Sequence, residues 1–244
     1  MAKLKVPSAL HLARLWRPDE VAVKNALIAL TKSSPPFSYA QLLGMVRSML
    51  TIKSDLSEME HLISLGVKSE LARKCYLEIA PLLASHFAAQ NPSFVHEVSP
   101  RVYPLSRKLR VPFEPPMIFG AHGKVHLPIF IFWRTNPLTE DQRGLLASMI
   151  RELISQDPDL DLASTSVLDF SVQKGAGERG LLQTPLADIP VISNERRDEM
   201  LSVFVAGYEL AQKELEGQRA GADATATPLS PGREADQRDF FNDF

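Results

Sequence analysis

Apolar residues recur at intervals of three and four through the first ninety residues, and after residue 117 they change to short runs and alternation. A proline-rich stretch lies between the two regimes. Helical spacing puts three or four apolar residues per two turns on one face, whereas a period of two marks a strand. Ser8 stands where it would cap a short helix reaching Trp16. After Pro18 and Asp19, Val23, Ala26, Leu27 and Leu30 form a stripe that stops before the Ser-Ser-Pro-Pro breaker at 33–36. Ser38 with Gln41, and Ser57 with Glu60, have the spacing of capping boxes, in which each side chain bonds the other's backbone N–H. Leu42, Val46, Met49 and Leu50 follow the first box, and Gly66 closes the segment that follows the second. Ser69 opens a further helix with Leu71, Cys75, Ile79, Leu82 and Leu83 on one face. Residues 1–90 therefore read as a small helical bundle.

Prolines at 92, 100, 104, 112, 115 and 116 make residues 91–116 an extended connector, because proline fixes φ and removes a donor. Val102, Tyr103, Leu105, Val111 and Phe113 give it enough apolar surface to pack between the two halves. Met117–Phe119 and Val125–Trp133 flank Gly-Ala-His-Gly-Lys, whose Gly120 and Gly123 permit positive φ, so a β-hairpin is expected. Residues 129–133 are apolar on both faces, as in a central strand, while Pro128 pushes the start of that strand toward an edge or bulge. Thr139 and Gln142 form a third capping box ahead of Leu145, Leu146, Met149, Ile150, Leu153 and Ile154. Val167–Val172 alternates as a strand, and Leu201, Phe204, Tyr208, Ala211 and Leu215 mark a last helix over about 195–216. The order hairpin, helix, strand, helix favours an α+β unit at 117–216: a small mixed or antiparallel sheet with helices on one face. Residues 217–236 show no periodicity and are expected to be disordered, so 217–244 reads as a tail.

Composition adds few constraints. The chain has 244 residues, 45% of them hydrophobic, long enough for a sizeable core without staples. Its single cysteine, Cys75, cannot form an intramolecular bridge. No stretch approaches the roughly 20 apolar residues that span a bilayer. The opening residues have no continuous apolar segment of a signal peptide, so a cytoplasmic protein without a membrane partner is expected. The net charge of −2 hides an asymmetry. Residues 1–110 carry 15 Lys and Arg against 8 Asp and Glu, and residues 111–244 carry 12 against 21. A basic half can meet nucleic acid, the acidic half of the same chain, or a second copy in a homo-oligomer.

The local motifs point away from familiar chemistry. Gly175–Gly180 matches G-x-G-x-x-G, but Pro185 and Pro190 leave no helix to present its N-terminus to a pyrophosphate. His122 and His126 fall at a turn and a strand start, where extended geometry parts them by about 13 Å. Asp169 and Lys174 lack the acid-x-Lys spacing of metal-dependent nucleases and read as surface charges at a strand end. Cys75, within an apolar stripe, reads as a buried inert thiol. No catalytic residue, metal ligand or cofactor site is singled out.

Two interaction segments remain. Residues 57–80 have the layout of a helix-turn-helix, and Lys68, Ser69, Arg73 and Lys74 would offer an exposed polar face to DNA. The chain ends in Asp239, Phe240, Phe241, Asn242, Asp243 and Phe244. That composition suits a linear motif that places aromatics in a partner's pocket and its acids on basic side chains. In composition these six residues resemble the acidic tail tips of bacterial single-stranded-DNA-binding proteins. The leading expectation is a non-catalytic accessory or adaptor protein that captures a protein partner through this tail. The alternatives are a DNA-binding regulator using 57–80 and an enzyme with a scattered site.

Overall fold

The computed structural model describes residues 4–32, 37–107, 109–135 and 138–225. Five helices come first: α1 (Ala9–Leu15), α2 (Glu20–Lys32), α3 (Ala40–Ile52), α4 (Leu56–Gly66) and α5 (Glu70–Gln90). They are followed by β1 (Phe94–His96), β2 (Arg101–Pro104), β3 (Arg110–Phe113), β4 (Ile118–Ala121), β5 (Lys124–Ile131), α6 (Glu140–Ser155), β6 (Ser164–Asp169), β7 (Leu182–Pro185) and α7 (Asn194–Thr225). The class is α+β, with N-terminal helices followed by strands.

One mixed sheet runs β1-β4-β5-β6-β7, and β2-β3 form a separate hairpin. Only β5 and β6 are parallel, and α6 makes the crossover between them. Alternation along these strands sends side chains to two cores. Leu127, Ile129, Ile131 and Val167 pack with α1, α2, α6, α7 and the β2-β3 hairpin. Phe119, Ala121, Phe130, Phe132, Leu168 and Phe170 pack with α3, α4 and α5. The helices that belong to the hairpin–helix–strand–helix unit, α6 and α7, thus share one face. The N-terminal helices divide between both, because an apolar stripe shows that a helix needs a cover and not which neighbour supplies it.

Several local expectations are met and several are corrected. The Thr139–Gln142 capping box is present in full, and Ser69 accepts from the Ala72 N–H to start α5. The box at Ser38–Gln41 is not formed: α3 begins after Tyr39, and the Gln41 amide donates to the Gly66 carbonyl at 3.2 Å. At α4 the cap is Asp55, which accepts from the Glu58 N–H, so Ser57 lies inside the helix. A carboxylate is the stronger acceptor at a helix N-terminus, where the macrodipole favours negative charge. On α5 the inward face is Ala72, Tyr76, Ile79, Leu83 and Phe87, leaving Leu71 exposed and Cys75 only half-buried.

The connector, residues 91–116, contains three short strands, β1, β2 and β3. It supplies β1 as a sheet edge, and Tyr103, Val111 and Phe113 are buried beneath the β2-β3 hairpin, although Val102 points outward. The β4-β5 hairpin turns through His122 (φ 51°) and Gly123 (φ 72°). Gly120 is not a turn residue. A Cβ there would lie 2.1 Å from the Phe94 ring, so its role is to let β1 cover β4. β5 is central, not an edge, despite Pro128. The Ile131 carbonyl accepts from the Phe170 N–H, so Leu127, Ile129 and Ile131 turn their backbone groups to β6. Pro128 therefore faces the β4 side, where pairing has already ended at His126. α7 continues to Thr225, past the end its apolar stripe implies.

Candidate functional site

The segment with helix-turn-helix layout forms an α-helical hairpin whose inner faces carry Met59, Ile63, Val67, Ala72 and Tyr76 in the core. Val67 is the pivot. It is buried while both residues after it, Lys68 and Ser69, are exposed. Of the four polar side chains expected to face DNA, two are occupied internally. Ser69 Oγ accepts from the Ala72 N–H at 3.3 Å. Arg73 folds back so that Nε and Nη2 donate to the Val67 carbonyl at 3.2 and 3.0 Å, satisfying an orphan carbonyl at the end of α4. Lys68 and Lys74 remain exposed.

What the sequence reading missed is the apolar content of this surface. Leu62 is 47% exposed, Leu65 73% and Leu71 51%. Leu62 lies three residues after Met59, at the edge of the buried face of α4, and Leu65 lies a further three residues on and more exposed. The signal was available: Leu62, Ile63 and Leu65 are too many apolar residues for a single narrow stripe. At the other end of this helical hairpin, the α3–α4 junction and the later turns of α5 enclose an open apolar concavity of about 550 Å³, lined by Met49, Leu50, Leu56, Pro81 and Phe87.

Other candidate positions are engaged by the fold. The Gly175–Gly180 loop leads into β7, with no helix start beside it. It closes through Arg179, whose side chain is only 3% exposed and pairs with Glu78 of α5 at 3.0 Å. Arg179 Nη1 also donates to the carbonyls of Phe132 and Phe170 at 3.0 Å, tying the ends of β5 and β6 to the loop. Beside it, burial pushes the Tyr39 hydroxyl up to about 12, against the opposing pull of the Arg179 guanidinium. His126 stacks on Phe119 and brings Nε2 within 3.2 Å of the Ala121 carbonyl, while His122 sits exposed at the turn. Asp169 is not a surface charge: it is 6% exposed and accepts from the Ser171 N–H at 2.9 Å. Lys174 is exposed. Asp239, Phe240, Phe241, Asp243 and Phe244 lie outside the described residues. Among the described residues no helix is long and apolar enough to cross a membrane.

The chain matches no protein-family model, and no curated protein matches it.

Proposed function

We propose that this protein is a non-catalytic accessory or adaptor protein that works through protein–protein contacts, with the α4–α5 surface as one docking face and the acidic-aromatic C-terminus as a linear motif. The observation that supports it is the exposure of Leu62, Leu65 and Leu71 around Lys68 and Lys74. Exposed large apolar side chains are a feature of interaction sites, and Lys68 and Lys74 against the equally exposed Glu70 leave this segment with a small positive excess. The same features weigh against the DNA reading. A recognition helix spends polar side chains on base edges and phosphates, whereas Ser69 and Arg73 are spent on the protein's own backbone.

The test compares Leu65→Glu and a chain lacking residues 237–244 with the parent protein in affinity capture and thermal melting. Leu65→Glu is expected to keep the melting temperature, since its side chain is exposed, and to lose partners that the parent captures. The truncation is expected to lose capture as well. Unchanged capture by both variants would remove the adaptor reading. For the DNA alternative, Lys68 and Lys74 together predict a shallow salt dependence: their loss would lower the slope of log K against log salt by about two.

A further inference from the structure

At the end of the α4–α5 hairpin away from Leu65, the last turn of α3 stands between two depressions. On one side is the apolar concavity of about 550 Å³ walled by Met49, Leu50, Leu56 and Phe87. On the other is a hollow bordered by Gly44, Thr51 and Val95. The turn itself carries Ile52, 70% exposed. It ends at Lys53, whose left-handed backbone (φ 56°, ψ 40°) turns the chain toward α4. The side of α3 that enters the core is Leu42, Val46 and Met49, and a β-branched aliphatic is not a strong helix former. Neither core burial nor helix propensity therefore accounts for isoleucine at position 52. A ridge with an apolar crest beside an apolar groove has the relief of one half of a helix packing, in which each partner inserts its ridge into the other's groove.

Charge narrows the choice of occupant. Among the described residues the charged groups lining the concavity are Lys53 and Asp55, both exposed at its rim. A base and an acid side by side give a strongly acidic or strongly basic partner no advantage. They suit a surface that presents the same pair in reversed order. A two-fold axis supplies that surface, because in an isologous interface residue i meets residue j and j meets i. The same operation seats the ridge of each copy in the groove of the other. Crest and groove, cation and anion lie next to one another on one patch, as self-complementarity requires.

We propose that this face is a two-fold interface with a second copy of the chain, in which Ile52 enters the concavity of the opposite copy and Lys53 pairs with Asp55 of that copy. The interface does not rest on the docking reading above, which concerns the other end of the hairpin. Sedimentation velocity of the full chain between about 1 and 200 µM reads the assembly. The parent is expected to dimerise within that range, the affinity of a modest interface. Ile52→Glu, exposed in the single copy and therefore neutral for folding, should weaken the dimer about tenfold or more by placing an unpaired charge in the groove. Lys53→Asp and Asp55→Lys should each weaken it to a similar extent, because like charges then face each other at two places. Asp55 caps α4, so circular dichroism checks the folding of Asp55→Lys. Mixed in equal amounts, Lys53→Asp and Asp55→Lys regain both opposite-charge contacts, and the mixture is expected to dimerise where neither variant does alone. Leu65→Glu is expected to dimerise like the parent. The proposal is overturned if the parent is monomeric up to about 200 µM, if Ile52→Glu assembles like the parent, or if Leu65→Glu breaks the dimer. A mixture of the two folded charge variants that assembles no better than either alone overturns it as well. Should Asp55→Lys fail to fold, Ile52→Glu and Lys53→Asp decide.

Discussion

At Gly207 the fold asks for something that no local rule reveals. A Cβ built there would lie 2.6 Å from Val23 Cβ and 2.7 Å from the Glu20 carbonyl, so α7 touches the backbone of α2 at this point. Helix propensity alone predicts that Gly207→Ala stabilises α7 by about 1 kcal/mol. Packing predicts the reverse, because the carbonyl of a neighbouring helix cannot rotate away and the two helices must part. Overpacking of this kind costs about 1–3 kcal/mol. We expect Gly207→Ala to lower the melting temperature, and a variant more stable than the parent would refute the close approach. Asp169 teaches a similar lesson. In the sequence it is one acid in an alternating strand, and only the pairing of β6 between β5 and β7 shows that its position is interior.

At the level of single elements the sequence was most legible where two signals coincided. Thr139 with Gln142 preceded a long apolar stripe, Ser69 preceded another, and the double-sided run at 129–133 read as a central strand; both helices start where expected, and the strand is found but ends at Ile131. It was least legible where an element is short or its cap is one of several candidates. β1, β2, β3 and β7 have three or four residues each, too few for a period to register, and Asp55 capped α4 in place of Ser57. Gln142 also does more than its motif implies. Its Oε1 accepts from the Thr139 N–H while its Nε2 donates to the carbonyls of Arg14 and Trp16 at 3.2 and 3.0 Å. One buried side chain thus closes the start of α6 and the end of α1. Gln142→Glu separates these roles, because glutamate serves equally well in a capping box but has no N–H to offer the two carbonyls. We expect it to destabilise the protein by about 1–3 kcal/mol, the cost of buried groups left unpaired. Chemical denaturation showing no loss would assign Gln142 to capping alone.

On the scale of the whole molecule, the sheet is the wall shared by two cores. Phe204 of α7 is fully buried in one, and Phe87 of α5 is 2% exposed in the other. β5 feeds both, with Ile129 and Ile131 turned to the first and Phe130, followed just beyond the strand by Phe132, to the second. The connector that composition marks as a boundary is built into this wall: β1 pairs with β4, and Ser93 N–H donates to the Gly120 carbonyl at 2.8 Å. Stripping the helices from either face would expose one side of every central strand, so neither core can be lost while the other keeps its sheet. Phe87→Ala and Phe204→Ala should each cost about 3–5 kcal/mol. Both should shift the same single unfolding transition, seen alike by far-ultraviolet circular dichroism and by tryptophan fluorescence from Trp16 and Trp133. Both tryptophans belong to the first core, Trp16 as a member and Trp133 packed against it. If the cores were independent, Phe87→Ala would leave the fluorescence transition in place and move only part of the dichroism signal. A split of that kind would show that the sheet does not couple its two faces.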